Sequence, residues 1–245
     1  ASTGVIQWML NSAWPSLYWQ TYDWYLVPTA AFWSVRKACA PQQLVYNYCD
    51  RNVYAVSDIP VDGELVACAE LYDMDGRKVF SRDTTVSFSD ASSPMSSQLF
   101  DIPSVEPLSF LFLELKGNRG RVVADNSYCI SATADKHDWE HSTWIRTNLS
   151  QHSDFSHLAK LKKVELQTEV TIGKDDITVE IRNAGQTVAF FVRVVLKDND
   201  GEIIVPVTWD DNYISLRPGE IRRVSCRKPS QDRGDVHVEL SGWNI

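Results

Sequence analysis

The sequence lacks paired cysteines, a surplus of basic residues and long apolar runs, and each shortage excludes a class of protein. No CxxC pair occurs, which excludes a zinc site built from thiolates and leaves no recognisable disulfide framework. The 24 basic residues are outnumbered by 32 acidic ones, for a net charge of −8, so we expect no nucleic-acid partner. No apolar run approaches the ~20 residues of a membrane-spanning helix, so we expect no membrane partner.

The cysteines are odd in number and widely spaced: Cys39, Cys49, Cys68, Cys129 and Cys226. Cys68 and Cys129 are far enough apart in the sequence to bridge the two sheets of a sandwich. No Trp lies between them, however, so the Cys–Trp–Cys core of antibody domains is missing. We expect free, buried thiols, and the redox compartment stays open.

The chain has 245 residues, of which 44% are apolar and 23% charged. These values are typical of a globular protein with one large domain or two ordinary ones. The first residues, 1–4, have no basic start and no apolar core of a signal peptide, and they lead directly into an apolar strand pattern. We therefore expect a fragment of a longer protein.

Residues 1–42 are rich in aromatic side chains, with five of the nine tryptophans in the first 33 residues. The apolar run Val5–Leu10 predicts a buried strand. Helical spacing over Ala30–Ala40 predicts a helix, which Pro41 ends. A β/α unit of this kind cannot bury its own faces and needs parallel neighbours.

Alternating strands dominate the rest of the chain. Residues 43–130 predict seven strands: Leu44–Cys49, Asn52–Ser57, Glu64–Tyr72, Lys78–Phe88, Ser96–Ile102, Leu108–Leu115 and Arg121–Ile130. A polar connector follows at 131–162, and residues 163–245 predict six more strands: Lys163–Ile172, Asp176–Arg182, Val188–Lys197, Glu202–Thr208, Glu220–Arg227 and Asp235–Leu240. The expected fold is mainly β, with two immunoglobulin-like β-sandwich domains preceded by one β/α unit.

The two strand-rich regions share an Asp-x-Asp-Gly phrase, which ends at Asp75-Gly76 in the first and at Asp200-Gly201 in the second. Asp-Gly predicts a tight hairpin in which both central residues take positive φ. The phrase also resembles the start of a calcium loop, but the later acidic ligand is absent, so the hairpin is favoured. The repeat favours two copies of one sandwich type.

His137, Glu140 and His141 fit the H-x-x-E-H motif of inverted zinc proteases. On a helix the two imidazoles would share a face, and Glu140 could act as a base. The motif has only three fixed residues and lies in the polar connector, so solvated histidines are favoured and a zinc hydrolase ranks last. We expect no metal and no cofactor.

The richest group of side chains is Trp8, Asn11 and Trp14. If Val5–Leu10 is a barrel strand, these residues lie at its carboxyl end, where barrel enzymes build their sites. An indole face stacks on the apolar face of a sugar ring and an Asn binds its hydroxyls, so the group favours sugar binding. The other tryptophans of this region are expected to pack in the core: Trp19, Trp24 and Trp33.

Several segments match one family: Gly4–Trp19, Tyr22-Asp23, Ala31–Trp33, Asp138–Trp144, Val188–Arg193, Pro206–Glu220 and Gly242–Asn244. The first three resemble the last barrel strand and helix of glycoside hydrolase family 2, and the others extend the likeness over the whole chain. The closest subgroup is the exo-β-D-glucosaminidases, with the related mannosylglycoprotein endo-β-mannosidases and β-mannosidases. Ser12 replaces the acid of the W-x-L-N-D motif of simpler β-mannosidases, which favours the glucosaminidase and endo-mannosidase branch.

The resemblance implies that residues 1–42 are the last β/α unit of a (β/α)₈ barrel, followed by sandwiches at 43–130 and 163–245. It implies the C-terminal portion of a retaining glycoside hydrolase that acts on β-linked glucosamine, as in chitosan oligosaccharides, or on β-mannosides. Both catalytic Glu residues would lie upstream of Ala1, so this chain alone is expected to be inactive. Trp8, Asn11 and Trp14 would form part of the sugar pocket.

The partners implied are an oligosaccharide substrate and the remainder of the same enzyme, meaning its barrel and N-terminal domains. A secreted or periplasmic location is favoured. The main alternative is a non-catalytic module, in which two immunoglobulin-like domains bind carbohydrate or protein.

Overall fold

The computed structural model describes residues 4–16, 19–61, 63–88, 95–229 and 235–245, except for the side chains of 95–97. The chain forms two compact units. The first sandwich unit comprises Ala40–Lys162, and the second sandwich unit comprises Lys163–Ile245 together with the residues up to Cys39. No helix in the described ranges has the length and apolarity needed to cross a membrane.

The first sandwich unit contains two antiparallel sheets. Its strands are β1 (Gln42–Asn47), β2 (Asn52–Ser57), β3 (Glu64–Asp73), β4 (Lys78–Ser87), β5 (Met95–Asp101), β6 (Leu108–Lys116) and β7 (Val122–Ser131). One sheet has the order β1-β2-β5 and the other β4-β3-β6-β7. The seven strands predicted for residues 43–130 are confirmed, with ends that shift by one or two residues.

Burial follows the alternation that predicted these strands. Every second residue of β1 and β2 is buried, whereas β6, between β3 and β7, is buried along most of its length. A half-buried strand shows period two, and a central strand covered on both faces shows a continuous apolar run. The resulting core includes Leu44, Val53, Leu71, Phe100, Leu111 and Leu113.

The connector adds a small hairpin to this unit. Its strands β8 (Lys136–Asp138) and β9 (Asn148–Gln151) pair antiparallel. A 3₁₀ helix at Ser156–Lys160 follows, and another 3₁₀ turn at Asn118–Gly120 joins β6 to β7.

The second sandwich unit contains two three-stranded antiparallel sheets. Its strands are β10 (Leu166–Ile172), β11 (Asp176–Asn183), β12 (Ala189–Lys197), β13 (Ile214–Leu216), β14 (Ile221–Arg227) and β15 (His237–Ser241). The orders are β10-β11-β14 and β13-β12-β15. Five of the six predicted strands are confirmed.

The strand predicted at Glu202–Thr208 is wrong. Only Ile203 makes a β-bridge, to Lys197, and the segment contains Pro206, which has no N–H to donate to a ladder. The strand β13 pairs with β12 instead, through a bulged register. With only three residues, β13 is too short to show an alternating pattern in the sequence.

The helix α1 (Ala30–Ala38) confirms the predicted helix and ends three residues before Pro41. Arg36 and Lys37 lie in its last turn, where positive charge is favourable beside the free carbonyl groups. The strand predicted at Val5–Leu10 is wrong, because residues 4–10 have no regular structure. A parallel strand needs hydrogen-bonding neighbours, and no described strand lies beside these residues.

Only the glycine of each Asp-Gly pair has positive φ, at 80° for Gly76 and 82° for Gly201. The prediction that Asp75 and Asp200 share this conformation is therefore wrong. The difference is explained by the first aspartate of each phrase, two residues before the Asp-Gly pair, because it stabilises a wider turn.

The first aspartate of each phrase organises its turn in the same way. Asp73 Oδ1 accepts hydrogen bonds of 2.9 Å from the backbone N–H groups two and four residues later. Asp198 Oδ1 accepts the equivalent bonds over 3.1 and 3.0 Å. Asp73 also pairs with Arg77 Nε at 2.8 Å. These carboxylates stabilise the two turns, so the calcium-loop alternative has no support. The predicted hairpin is confirmed for the first phrase, between β3 and β4, and is wrong for the second, where only the isolated bridge between Lys197 and Ile203 follows β12.

All five cysteines are free. Cys68 and Cys226 are buried, but Cys39 and Cys49 are exposed, so the expectation of buried thiols is wrong for these two. Cys68 on β3 and Cys129 on β7 belong to one sheet. A bridge between the two sheets through this pair is therefore excluded.

The thiols are expected to fall into a fast and a slow class when an alkylating reagent is added at pH 8. Burial raises the pKa of Cys129 and of Cys226 to about 12 from 9.0, which lowers their thiolate fraction on the order of 1000-fold. Mass spectrometry should show rapid labelling of Cys39 and Cys49 alone, and labelling of all five cysteines in denaturant. Rapid labelling of Cys226 in the native chain would contradict this burial.

Candidate functional site

The segment before α1 is folded back on itself by polar contacts. Tyr22 N and Thr21 Oγ1 both donate to the carbonyl of Leu10 over 2.9 Å. Thr29 Oγ1 donates to the carbonyl of Gln20 over 2.8 Å, and Thr29 N donates to that of Thr21 over 2.9 Å. These contacts join the residues around position 10 to the start of α1, although no strand forms.

The predicted site residues lie on this folded segment. Trp8 and Trp14 are 69% and 68% exposed, whereas Asn11 is half-buried and donates to the Ser12 carbonyl over 3.2 Å. The carbonyl of Trp8 accepts a hydrogen bond from the indole of Trp19. The described contacts thus hold the backbone and leave two indole rings available to stack on a ligand.

Two of the tryptophans expected in the core are exposed. Trp19 and Trp24 remain accessible, so that expectation is wrong for both, whereas it is confirmed for Trp33. The aromatic composition of the segment indicates an apolar surface that needs a packing partner, but it does not identify that partner. The described part of the chain leaves 69% of Trp8, 68% of Trp14 and 46% of Trp24 exposed.

Helix α1 docks on the second sandwich through Trp33, which is 3% exposed and belongs to the core of that unit. Phe32 packs edge-on against Trp33, with ring centroids 5.0 Å apart, and Tyr22 lies 5.2 Å from Phe32. The guanidinium of Arg36 lies over the indole at 5.5 Å. This aromatic chain connects the segment that carries the predicted site to the sandwich.

Two polar contacts reinforce the docked helix. Arg36 Nη1 donates to the carbonyl of Trp209 over 3.1 Å, and Lys37 Nζ pairs with Asp211 Oδ2 at 3.0 Å. The sequence analysis missed this pair, because nothing in a single sequence links charges so far apart. The apolar stripe of α1 was the one available signal, since it required some partner.

The loop at 209–212, which contacts α1, is fixed by its own contacts with the second sandwich. Trp209 is buried in the core. Asn212 Oδ1 accepts from Val194 N, and its Nδ2 donates to Val194 O, both over 2.8 Å. Asp210 accepts from the backbone N–H and the hydroxyl of Ser225 over 2.8 and 2.7 Å. A loop fixed in this way offers α1 a rigid surface.

The H-x-x-E-H motif does not form the arrangement of a zinc protease. His137 lies on β8 and stacks with Trp139, with centroids 4.9 Å apart, while His141 Nδ1 bonds to Asp138 at 2.8 Å. Because the segment is a strand followed by a turn, the imidazoles lack the shared helical face that the motif requires. Across the described ranges, no three His, Cys, Asp or Glu side chains are placed to hold a metal ion.

Comparisons with known proteins give one consistent relationship. Residues 144–245 match the family described as the exo-beta-D-glucosaminidase Ig-fold domain. The exo-beta-D-glucosaminidase of Arthroderma benhamiae is 31% identical over 100% of this chain and 28% of its own length. That of Streptomyces avermitilis is 35% identical over 99% of this chain and 28% of its own length.

The fold shows the same relationship. The crystal structure of the Amycolatopsis orientalis exo-chitosanase CsxA superimposes with a TM-score of 0.86, at 30% identity, over 99% of this chain and 30% of that chain. The resemblance noted in the sequence is confirmed. The chain spans less than a third of the length of the relatives it matches.

Proposed function

Because this chain is related over its whole length to exo-β-D-glucosaminidases and carries their Ig-fold domain, we propose that it serves as a non-catalytic portion of an enzyme that hydrolyses β-linked glucosamine. The observation that carries this proposal is the extent of the likeness, which includes the N-terminal segment as well as the sandwich domain. A free-standing binding module would need only the sandwiches and would not need that segment.

Trp8, Asn11 and Trp14 are the residues we assign to the sugar pocket. Support comes from the two exposed indole rings with an amide between them in the sequence. Flat apolar rings combined with a few polar groups are typical of sites that bind sugar rings. In the complete enzyme this group would form an aromatic wall of the pocket.

The chemistry of the reaction is assigned to residues outside this chain. Retaining hydrolysis needs two carboxyl groups about 5 Å apart, one as acid/base and one as nucleophile. We assign neither role to a side chain of residues 1–245. This chain would supply binding and support, and the remainder of the enzyme would be its partner.

The remainder of the enzyme is also the proposed cover for the exposed apolar surface of the N-terminal segment. Val5, Ile6, Leu10 and Tyr25 are exposed together with the tryptophans of this region. So many exposed apolar side chains in one short segment favour an interface, because large apolar patches are uncommon on stable monomers. Barrel strands beside residues 4–10 would bury it.

Hydrolysis of p-nitrophenyl β-D-glucosaminide by the complete enzyme tests the proposal. We expect release of p-nitrophenol by the complete enzyme and none by this chain alone, because we assign both catalytic carboxyl groups to residues outside it. The comparison substrate is p-nitrophenyl β-D-mannoside, which carries the same leaving group on a different sugar. Hydrolysis of neither substrate by the complete enzyme, together with sugar binding by this chain, would favour the non-catalytic module instead.

A further inference from the structure

Two aromatic residues of the second sandwich unit adopt a backbone conformation that large side chains rarely take. Phe191 in β12 has a φ of 61°, and Tyr213, directly before β13, has a φ of 50°. Their rings are in contact, with centroids 5.3 Å apart and ring planes inclined at 59°. This left-handed region is costly for bulky residues, and such outliers cluster where a protein positions functional groups. The pair is therefore a candidate for a functional role.

A β-bulge places Phe191 in this conformation. The register of β12 on β13 shifts at the residues around Phe191, and a bulge of this kind bends the strand and redirects a side chain. Phe191 N donates to Oγ of the buried Ser215 over 3.4 Å. Phe190 N donates to Oδ1 of the buried Asn244 over 2.9 Å. Buried side chains thus fix the backbone that carries the Phe191 ring.

Tyr213 is fixed in a similar way. Its N–H donates to Oδ1 of Asn212 over 2.8 Å, and the buried Asn212 is itself bonded to both backbone groups of Val194. Glycine or asparagine would take a positive φ at a lower energetic cost. The ring of each strained residue is therefore expected to make a contact that offsets the strain.

The turn at residues 23–27 lies beside this aromatic pair. Val27 lines a small cavity together with Arg193 and Asn212, so the turn packs next to the backbone that carries the two rings. Asp23 Oδ1 closes the turn by accepting from Val27 N over 2.9 Å. Burial is the main reason that the pKa of Tyr213 is raised, while the charge of Arg193 lowers it and that of Asp23 raises it. The phenol of Tyr213 is thus within electrostatic reach of the turn.

The same turn is connected to the predicted sugar pocket. Leu26, within the turn, also has a positive φ, of 62°, and its N–H donates to the Asp23 carbonyl over 3.1 Å. Directly before the turn, Tyr22 forms a parallel bridge with Asn11 and donates its N–H to the Leu10 carbonyl over 2.9 Å. A change in the position of the turn would therefore move Asn11.

We propose that Phe191 and Tyr213 are positioning residues of the sugar pocket, which support the turn at 23–27 and through it hold Asn11 in place. The inference rests on the proposed function, because that function assigns Asn11 to the pocket. It gives the second sandwich a role in the reaction, since its bulge and its loop would set the geometry of a site built on the N-terminal segment. Neither aromatic residue is assigned a contact with the sugar.

Amide hydrogen exchange of this chain, followed by NMR, tests the support of the turn. We expect Tyr213→Asn to speed exchange at the Tyr22 N–H about tenfold, because the turn loses a neighbour and opens more often, while asparagine accepts the positive φ. Exchange at Val179, in the core of the second sandwich, should stay the same. Unchanged exchange at Tyr22, or equally faster exchange at both residues, would overturn the proposal.

Steady-state kinetics of the complete enzyme tests the effect on the pocket. We expect Tyr213→Asn and Phe191→Asn each to lower kcat/KM for p-nitrophenyl β-D-glucosaminide on the order of 10-fold, because a displaced pocket residue binds the transition state less well. Tyr213→Phe keeps the ring and should retain most of the activity. Arg119→Asn is the matched control, since Arg119 has a φ of 62° in the first sandwich unit, and it should leave kcat/KM unchanged.

A double variant distinguishes positioning from a general loss of packing. If Tyr213 acts through Asn11, adding Tyr213→Asn to Asn11→Ala should lower kcat/KM little further than Asn11→Ala does alone. Losses that multiply would mean that the two residues act independently, and the proposal would be wrong. Unchanged kcat/KM in Tyr213→Asn would contradict it as well, even if amide exchange in the turn is faster.

The two proposals fail in different ways. If the complete enzyme hydrolyses the glucosaminide but Tyr213→Asn changes neither the exchange at Tyr22 nor kcat/KM, the positioning role is wrong and the proposed function stands. If the complete enzyme does not hydrolyse the glucosaminide, the proposed function is wrong, and the exchange at Tyr22 alone decides whether the aromatic pair supports the turn.

Discussion

Replacing Trp33 by alanine is expected to lower the free energy of unfolding of the second sandwich unit by about 3–5 kcal/mol. The indole is 3% exposed and belongs to the core of this unit. Its removal would leave a cavity between α1 and the sandwich and would take away the ring beneath the Arg36 guanidinium. Urea denaturation followed by circular dichroism measures the change.

Trp33→Phe is the matched control. Trp33 Nε1 is buried and has no hydrogen-bond partner among the described residues. Phenylalanine keeps most of the buried ring and removes this unpaired N–H group, so we expect a loss below about 1.5 kcal/mol. If Trp33→Ala costs no more than Trp33→Phe, docking of α1 does not stabilise the unit.

Replacing Trp8 by alanine in the complete enzyme is expected to lower kcat/KM for the glucosaminide on the order of 100-fold, or about 2.7 kcal/mol of transition-state stabilisation. The ring is exposed in this chain, so the change removes a contact with the sugar and little from the core. Steady-state kinetics with the glucosaminide give the loss, and circular dichroism shows whether both sandwiches remain folded.

Trp24→Ala serves as the comparison for Trp8, because Trp24 is an exposed tryptophan of the same segment that we do not assign to the pocket. It should retain most of the activity. Unchanged turnover in Trp8→Ala would show that Trp8 is not a pocket residue. Equal losses in both variants would mean that the segment acts through its packing on the barrel.

The strands were predictable wherever one face of a sheet is buried and the other is not. Alternation along β1 and β2 appears directly in the order of their residues, and their burial repeats it. The segment Val5–Leu10 has an equally apolar sequence but forms no strand, because a strand depends on neighbours that a local pattern does not include. Local sequence therefore predicted what a segment could form, and the available partners decided whether it formed.

Contacts between distant residues were beyond prediction from a single sequence. The apolar stripe of α1 predicted that Trp33 would be buried, but not that a sandwich would bury it. Likewise, the pairing of Lys37 with Asp211 depends on the fold of the whole second unit. At the candidate site, residue types suggested sugar binding for Trp8 and Trp14, whereas the exposure of Trp19 and Trp24 was not foreseen.

The division of the second sandwich unit between two stretches of sequence has a consequence for synthesis on the ribosome. Arg36 and its acceptor Trp209 are separated by 173 positions, and the whole first sandwich unit is translated between them. At a synthesis rate of about 5–20 residues per second, the loop that contacts α1 would be made on the order of 10–35 s after α1 itself. During that interval the Trp33 face of the nascent helix lacks the sandwich core that buries it in the folded chain, so this apolar face stays exposed until the second sandwich has been synthesised.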